Sequence, residues 1–481
     1  MVLPCRIGVT KGKHRERKAR AKIKVDANNS STWERVWEHL DIVRFPLGAL
    51  FLAAYAYSSL APGSYGTVIF LCTGAVLYAL SVPWTSTFHK VLTLAAFAVF
   101  GTLLLSGRFE PERFFEGLPD YFNIVAVLLV LSVAGYPIRA ERFTAQIQAL
   151  MTAMTRKGVS IKATAGGLGQ ILGAVLDVGA FVLVDVILQR AAPKERIEAL
   201  TWAARGFSFS PLWTNLNVFT VTTVVLTGVS YPTLLTTMLP FVGLGLAGTL
   251  FLAQREKGET NESSETLNRG AVAVLLYPVL LIAVVAFVSV LFPGLPLTAA
   301  IAITVAAIIV LIALLATALL RHSSPLRRLA REARESLVGS QAEFALFGSA
   351  GILVLSLEGL GALAPVGFLL STLPPVLVAP VLAFIMGLGW FAGIHVIPLV
   401  LLINTAFPLS EGPAPALWAA AILLGAQAAM LLTPFSNATT MLSRLTGLHP
   451  LEVGPKRNWK FGLAVTFAGL LYLGLLTLLL T

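Results

Sequence analysis

Apolar residues run through window after window of this chain, and polar positions fall in short bands between them. Runs near 18–20 residues are the length that crosses a bilayer as a helix, and eleven can be marked. They lie at about 46–60, 65–82, 90–106, 121–136, 198–229, 231–254, 271–292, 297–320, 341–358, 414–446 and 460–480. Two further apolar stretches read differently. Residues 163–190 carry Asp177 and Asp185 and have basic loops at both ends, as expected of a hairpin that enters and leaves on one side. Residues 376–408 read as a second hairpin around Gly393-Ile394-His395. Re-entrant backbone is tolerated only where protein or a water-filled cavity surrounds it. Amphipathic segments are expected at 138–157 and at 31–45. In the latter Ser31 and Glu34 have capping-box spacing, and Trp33, Val36, Trp37 and Leu40 form the apolar stripe of an interfacial helix. A Gly/Pro-rich connector follows residue 358.

Two of the long runs contain what look like copies of one motif. Ser210-Pro211-Leu212-Trp213-Thr214-Asn215 is followed by Thr222-Thr223, Leu226-Thr227-Gly228 and Pro232. Thr433-Pro434-Phe435-Ser436-Asn437 is followed by Thr439-Thr440, Leu445-Thr446-Gly447 and Pro450. Proline within a helix removes a donor and frees a carbonyl. Neighbouring hydroxyls and amides can satisfy the freed groups or a solute. One broken span in each half of a membrane protein points to the binding site of a repeat-built transporter.

Composition agrees with the pattern: 481 residues are 56% hydrophobic and 12% charged, with a mean hydropathy of +0.81. Soluble domains carry about 25% charged residues. The net charge of +11 is not a nucleic-acid signal, because Lys11, Lys13, Arg15, Arg17, Lys18, Arg20, Lys22 and Lys24 cluster in the N-terminal tail and most other bases lie in loops beside spans. That is the positive-inside pattern, and the tail can also touch anionic lipid. With the tail inside, the basic segments 137–162, 190–197, 321–340 and 447–460 fall inside, while 107–120, 293–296 and 409–415 fall outside. The C-terminus is then outside.

The expected division is a basic tail and interfacial helix (1–45), an extra span (46–64), a first repeat (65–254), a cytoplasmic linker (255–270) and a second repeat (271–481). The first repeat holds hairpin 163–190 and broken helix 198–229. The second holds external hairpin 376–408 and broken helix 414–446. Five crossings per half is odd, so the repeats are inverted. The first 40 residues show no apolar signal-peptide core. Cys5 and Cys72 are the only cysteines, so neither a structural disulfide nor a cysteine metal site is expected.

On this layout the chain resembles the ion transporter superfamily, the group of divalent anion/sodium symporters, arsenite permeases, citrate–metal symporters and related antiporters. The likeness covers roughly 65–480. It rests on a hairpin plus a broken helix in each half and on the small-Pro-x-x-Asn break, closest at Thr433–Asn437. The resemblance implies an all-α inner-membrane protein of about 11 transmembrane helices and two re-entrant hairpins. It also implies a homodimer held by a scaffold, an elevator-like transport domain, and sites where hairpin tips and breaks meet. The Ser-Asn-Thr tip motif of sodium-coupled dicarboxylate members is missing: the tips read Leu176-Asp177-Val178-Gly179 and Gly393-Ile394-His395-Val396.

The residues sort by chemistry. A carboxylate at mid-bilayer costs about 2.5–3.5 kcal/mol on insertion scales, so Asp177 is a candidate coupling-ion or proton site, or else caps hairpin backbone. His395, read as its mirror, suits a proton relay, or else is a packed, hydrogen-bonded histidine. Ser210, Thr214, Asn215, Asn217, Thr433, Ser436, Asn437 and Thr439 supply neutral donors and acceptors for a solute, with half-helix N-termini adding positive potential for an anion. The same residues could simply stitch the broken backbone. Asp185 reads as paired to a neighbouring Arg or Lys, Arg205 as snorkelling, and Glu358 as solvated. Gly166-Gly167-Leu168-Gly169 allows close helix packing. No phosphate-binding loop occurs, so no enzyme is expected, and no cofactor beyond H⁺ or Na⁺. The expected function is secondary transport of a small anionic solute. The alternatives are a Na⁺/H⁺ exchanger on the same scaffold and a lipid-handling or assembly protein without flux.

Overall fold

The computed structural model describes residues 42–480, apart from 62, 64, 139–140, 257–268, 293, 321–323 and 412–413. The expected tail and nearly all of the 31–45 helix lie outside the described residues. All described elements are helical and none is a strand.

Four apolar helices open the chain: α1 (Ile42–Leu60), α2 (Tyr65–Ser81), α3 (Thr87–Leu105) and α4 (Pro111–Ala134). After them come the amphipathic α5 (Glu141–Arg156), α6 (Ile161–Leu176), α7 (Gly179–Ile187), α8 (Pro193–Phe207), α9 (Val218–Thr227) and α10 (Tyr231–Arg255). The second half holds α11 (Arg269–Leu291), α12 (Leu297–Leu320), α13 (Ser324–Gly339), α14 (Gln341–Gly359) and α15 (Ala364–Thr372). It continues with α16 (Pro375–Phe391), α17 (Val396–Ala406), α18 (Pro415–Leu432), α19 (Asn437–Thr446) and α20 (Arg457–Leu480). Local sequence explains many starts. Pro111, Pro193 and Pro415 sit in first turns, where a missing N–H costs nothing. Ser160 and Ser230 accept from Ala163 and Thr233 as N-caps.

Nine helical stretches among the described residues are long and apolar enough to cross a membrane. The chain is a multi-pass helical membrane protein. Eleven crossings were expected; nine of them coincide with these stretches, and the other two runs are helical as well. The run 198–229 is divided into α8 and α9, and α8 carries Lys194, Glu195, Arg196, Glu198 and Arg205. The run 271–292 is a continuous helix, α11, with an apolar section Leu276–Leu291. Two segments expected as connections contain helices: α13 in 321–340, with arginines on one face, and α15 in the Gly/Pro-rich connector.

Packing sorts the helices into two groups. α2, α3, α4, α12 and α14 pack mainly on one another, with α4 against α12 and α3 against α14. α6–α10 and α16–α20 form the other group, with α6 against α8 and α16 against α18. These pairings repeat across the two halves. In both tight pairs the backbones touch. A Cβ on Gly206 of α8 would lie 2.0 Å from the Gly166 carbonyl oxygen, and one on Gly425 of α18 would lie 2.3 Å from that of Ala383. Gly166 and Gly169 therefore serve close helix packing, whereas Gly167 faces open space.

Arg205 does not snorkel. Its guanidinium lies 4.3 Å from the Trp202 ring and donates to the Asn458 side chain and the Arg457 carbonyl, both at 2.9 Å. It ties α8 to the start of α20. Glu358, expected solvated, meets Arg113 at 2.5 Å.

Candidate functional site

Each hairpin turn is fixed by one residue at positive φ. At the first, the residue is Asp177 (φ 50°, ψ −137°), the only non-glycine at positive φ among the described residues. At the second it is Gly393 (φ 81°). Glycine adopts this conformation freely, whereas an aspartate there is strained by about 1–3 kcal/mol. The backbone partner of Asp177 is thus Gly393. His395, expected as its mirror, instead caps α17, its ring nitrogen accepting from the Ile397 N–H at 3.4 Å.

The breaks repeat the same bonds. The Thr214 hydroxyl donates to the Ala174 carbonyl of α6 at 3.1 Å and accepts the Leu216 N–H. The Thr433 hydroxyl donates to the Trp390 carbonyl of α16 at 3.3 Å and accepts the Phe435 N–H. Ala174 and Trp390 each lie three residues before the positive-φ residue, so each break is stitched to its own hairpin arm. Asn217 then caps α9 and Ser436 caps α19, and both half-helices end on a left-handed glycine, Gly228 and Gly447. This register pairs Asn217 with Ser436. Asn215 and Asn437, which the sequence motif aligns, are not structural equivalents: the cap follows Asn215 by two residues but precedes Asn437 by one.

The eight candidate solute residues separate by access. Ser210, Thr214, Asn215, Asn217, Thr433, Ser436 and Thr439 are buried. Ser210 donates to the Gln170 carbonyl, Asn215 Nδ2 donates to the Ile282 carbonyl at 3.2 Å, and Ser436 bonds Thr439. Asn217 also lines a cavity, and only Asn437 of the eight is exposed. Some buried polar atoms have no partner among the described residues: Asn215 Oδ1, Trp213 Nε1, and both amide atoms of Gln427 on α18. Such atoms are rare in native interiors and mark where water or a solute supplies the missing bond.

Asp177 opens into a cavity of about 710 Å³. Its walls come from α4, α6, α7, α13 and the start of α14, with Asn217 at the edge. Among the described residues, the charged lining residues are Asp177, Glu335 and Glu343, with no lysine, arginine or histidine. Glu343 Oε2 is buried without a partner. Hydroxyls hold α13 over this space: Ser132 bonds Ser336, and Tyr136 donates to the Pro325 carbonyl at 2.8 Å. Glu335, Glu343 and Gln427 were not singled out from sequence. The available signals were an acid in the first turn of an apolar run, for Glu343, and an amide deep within another, for Gln427.

Asp185 is committed elsewhere. Arg196 grips it with two bonds, 2.6 and 2.7 Å, and reaches the Leu445 carbonyl at the end of α19. Bidentate pairs of this kind are among the stronger ones. With the arginine side chain 32% exposed, Arg196→Ala is expected to cost about 2 kcal/mol, between the surface and buried limits. Thermal unfolding of the purified variant in detergent checks it, and an unchanged midpoint would contradict it.

No protein-family model matches the chain, and no curated protein resembles it in sequence. Among solved structures, the Alcanivorax borkumensis YdaH transporter, described as having an unusual topology, overlaps 85% of this chain and 96% of its own. The identity is 15% and the TM-score 0.44. An overlap that loose carries no shared site.

Proposed function

We propose that the chain is a secondary active transporter of the inner membrane in which H⁺ or Na⁺ couples at Asp177. One observation carries this reading: an aspartate held in a strained turn, where glycine would sit at no cost, faces a large cavity inside a membrane protein. Strain of that size persists where the side chain has a task, and intramembrane acids mark ion pathways by default. The two hairpins are read as re-entrant and the halves as inverted repeats, because α6–α8 and α16–α18 repeat the same backbone contacts and stitching bonds. The two packing groups suit a scaffold and an elevator-like moving unit.

The solute is read as small and anionic, held between the breaks near Asn215 and Gln427, whose buried amide atoms lack partners among the described residues, and near the exposed Asn437. The acidic cavity repels an anion, so the solute enters together with the cation or after protonation. A second reading, cation exchange with no organic solute, is favoured by the same cavity's three carboxylates and the lack of bases among its described lining residues.

A thermal-shift panel of anions, with and without Na⁺ and across pH, distinguishes them, because a ligand that binds only the folded state raises its stability. Anion stabilisation that is lost in Asn437→Ala supports the coupled carrier. Response to Na⁺ or pH alone, lost in Asp177→Asn, supports exchange. No response to any of these would sink both and favour a non-transport role.

A further inference from the structure

A second cavity, about 520 Å³, lies toward the opposite end of α4. It is walled by α4, the end of α9, the start of α10, α11 and α12. Among the described residues Asp120 is its only charged lining residue, and Asn123, Thr222, Ser289 and Thr298 add neutral oxygens. Thr222 is 2% exposed, and its hydroxyl has no partner among the described residues. Its neighbours on α9 behave otherwise: Thr223 and Thr227 return their hydroxyls to the carbonyls four residues back, Phe219 and Thr223, the usual helical habit.

The same two helices line both cavities. On α4, Ile124 faces the Asp120 cavity and Leu128 the Asp177 cavity. On α9, Thr222 faces the first and Val218 the second. Four residues separate each pair, so the partition is one helical turn, about 6 Å thick. It is closed by Val125, Ala126 and Val127 on α4 and by Phe219, Thr220 and Val221 on α9, all buried.

We propose that Asp120 and Thr222 form a second cation site, at the opposite mouth of this α4–α9 seam, for a small alkali cation such as Na⁺. One carboxylate with neutral oxygens and no basic group matches a hard monovalent ion. A single negative charge is too little for a divalent one, and among the described residues no three His, Cys, Asp or Glu side chains gather as metal ligands. The Asp120 carboxylate repels an anion there. The proposal rests on the reading of the chain as a cation-coupled transporter, and extends it by giving the ion a station on each side of a thin partition.

Equilibrium binding of radioactive Na⁺ to the full chain in detergent, at alkaline pH, tests it. Asp120→Asn is expected to remove a saturable Na⁺ site that Asp177→Asn leaves in place. Thr222→Val, close to isosteric, is expected to weaken that site about tenfold, the loss of one bond to a charged group, and Thr222→Ser to restore it. No saturable Na⁺ binding in the wild type, or a titration of Asp120→Asn that superimposes on the wild type, would overturn the proposal. The reading of Asp177 fails separately, if Asp177→Asn retains coupled flux.

Discussion

Asp177→Gly is expected to abolish coupled flux while leaving the protein at least as stable as the wild type. The turn at Asp177 has φ 50° and ψ −137°, a region that suits glycine, and the second hairpin uses Gly393 at the matching place. Relief of the strain is worth about 1–3 kcal/mol, set against loss of the contact between the carboxylate and the Val178 N–H. Asp177→Asn keeps the strain and removes the charge. The pair separates two roles. If Asp177 only shaped the turn, glycine would support full activity. If it binds the ion, both variants are inactive and the glycine variant melts higher than the asparagine one. Flux in proteoliposomes, together with unfolding midpoints in detergent, reads both quantities.

The second large effect is expected at the backbone contacts within the hairpin–break pairs. Gly206→Ala and Gly425→Ala each place a methyl group within 2.0 and 2.3 Å of a carbonyl oxygen on a neighbouring helix. Neither neighbour is a flexible side chain that could turn aside, so the helices must part. A loss of about 3 kcal/mol or more is expected, at the upper end for overpacking. Gly248→Ala in α10 meets nothing within 4 Å and is the control, expected neutral or slightly stabilising through helix propensity. Equal midpoints for Gly206→Ala and Gly248→Ala would show that α6 and α8 are not in backbone contact.

Much of the layout was legible because membrane helices announce themselves by length and apolarity, and because a proline with polar neighbours interrupts them. Helix boundaries at α2, α10, α12 and α14 fall within a few residues of the apolar runs. The repeat register was less legible. Matching the two motifs by residue type aligns Asn215 with Asn437, but the cap of the following half-helix sets the structural phase, and that falls on Asn217 and Ser436. The hairpin tips show the same limit. His395 is chemically conspicuous, yet the residue equivalent to Asp177 is a glycine defined by its φ, which composition does not display. Glu335 and Glu343 join Asp177 only because α13 and the start of α14 fold over the α6–α7 turn, a tertiary fact with no local signature. Polar residues at the breaks were read as ligands, while the stitching role weighed against it fits the geometry of Thr214, Thr433 and Ser436.

The central claim is that a cation couples to transport at Asp177. The most direct measurement is flux in proteoliposomes of purified protein under imposed Na⁺ and pH gradients, comparing wild type with Asp177→Asn at matched reconstitution. The account predicts gradient-driven movement of Na⁺ or H⁺ by the wild type, with the anion that stabilises it present for a coupled carrier and without any for an exchanger, and only the empty-liposome leak with Asp177→Asn, both proteins remaining folded. Flux by Asp177→Asn at the wild-type rate would contradict it.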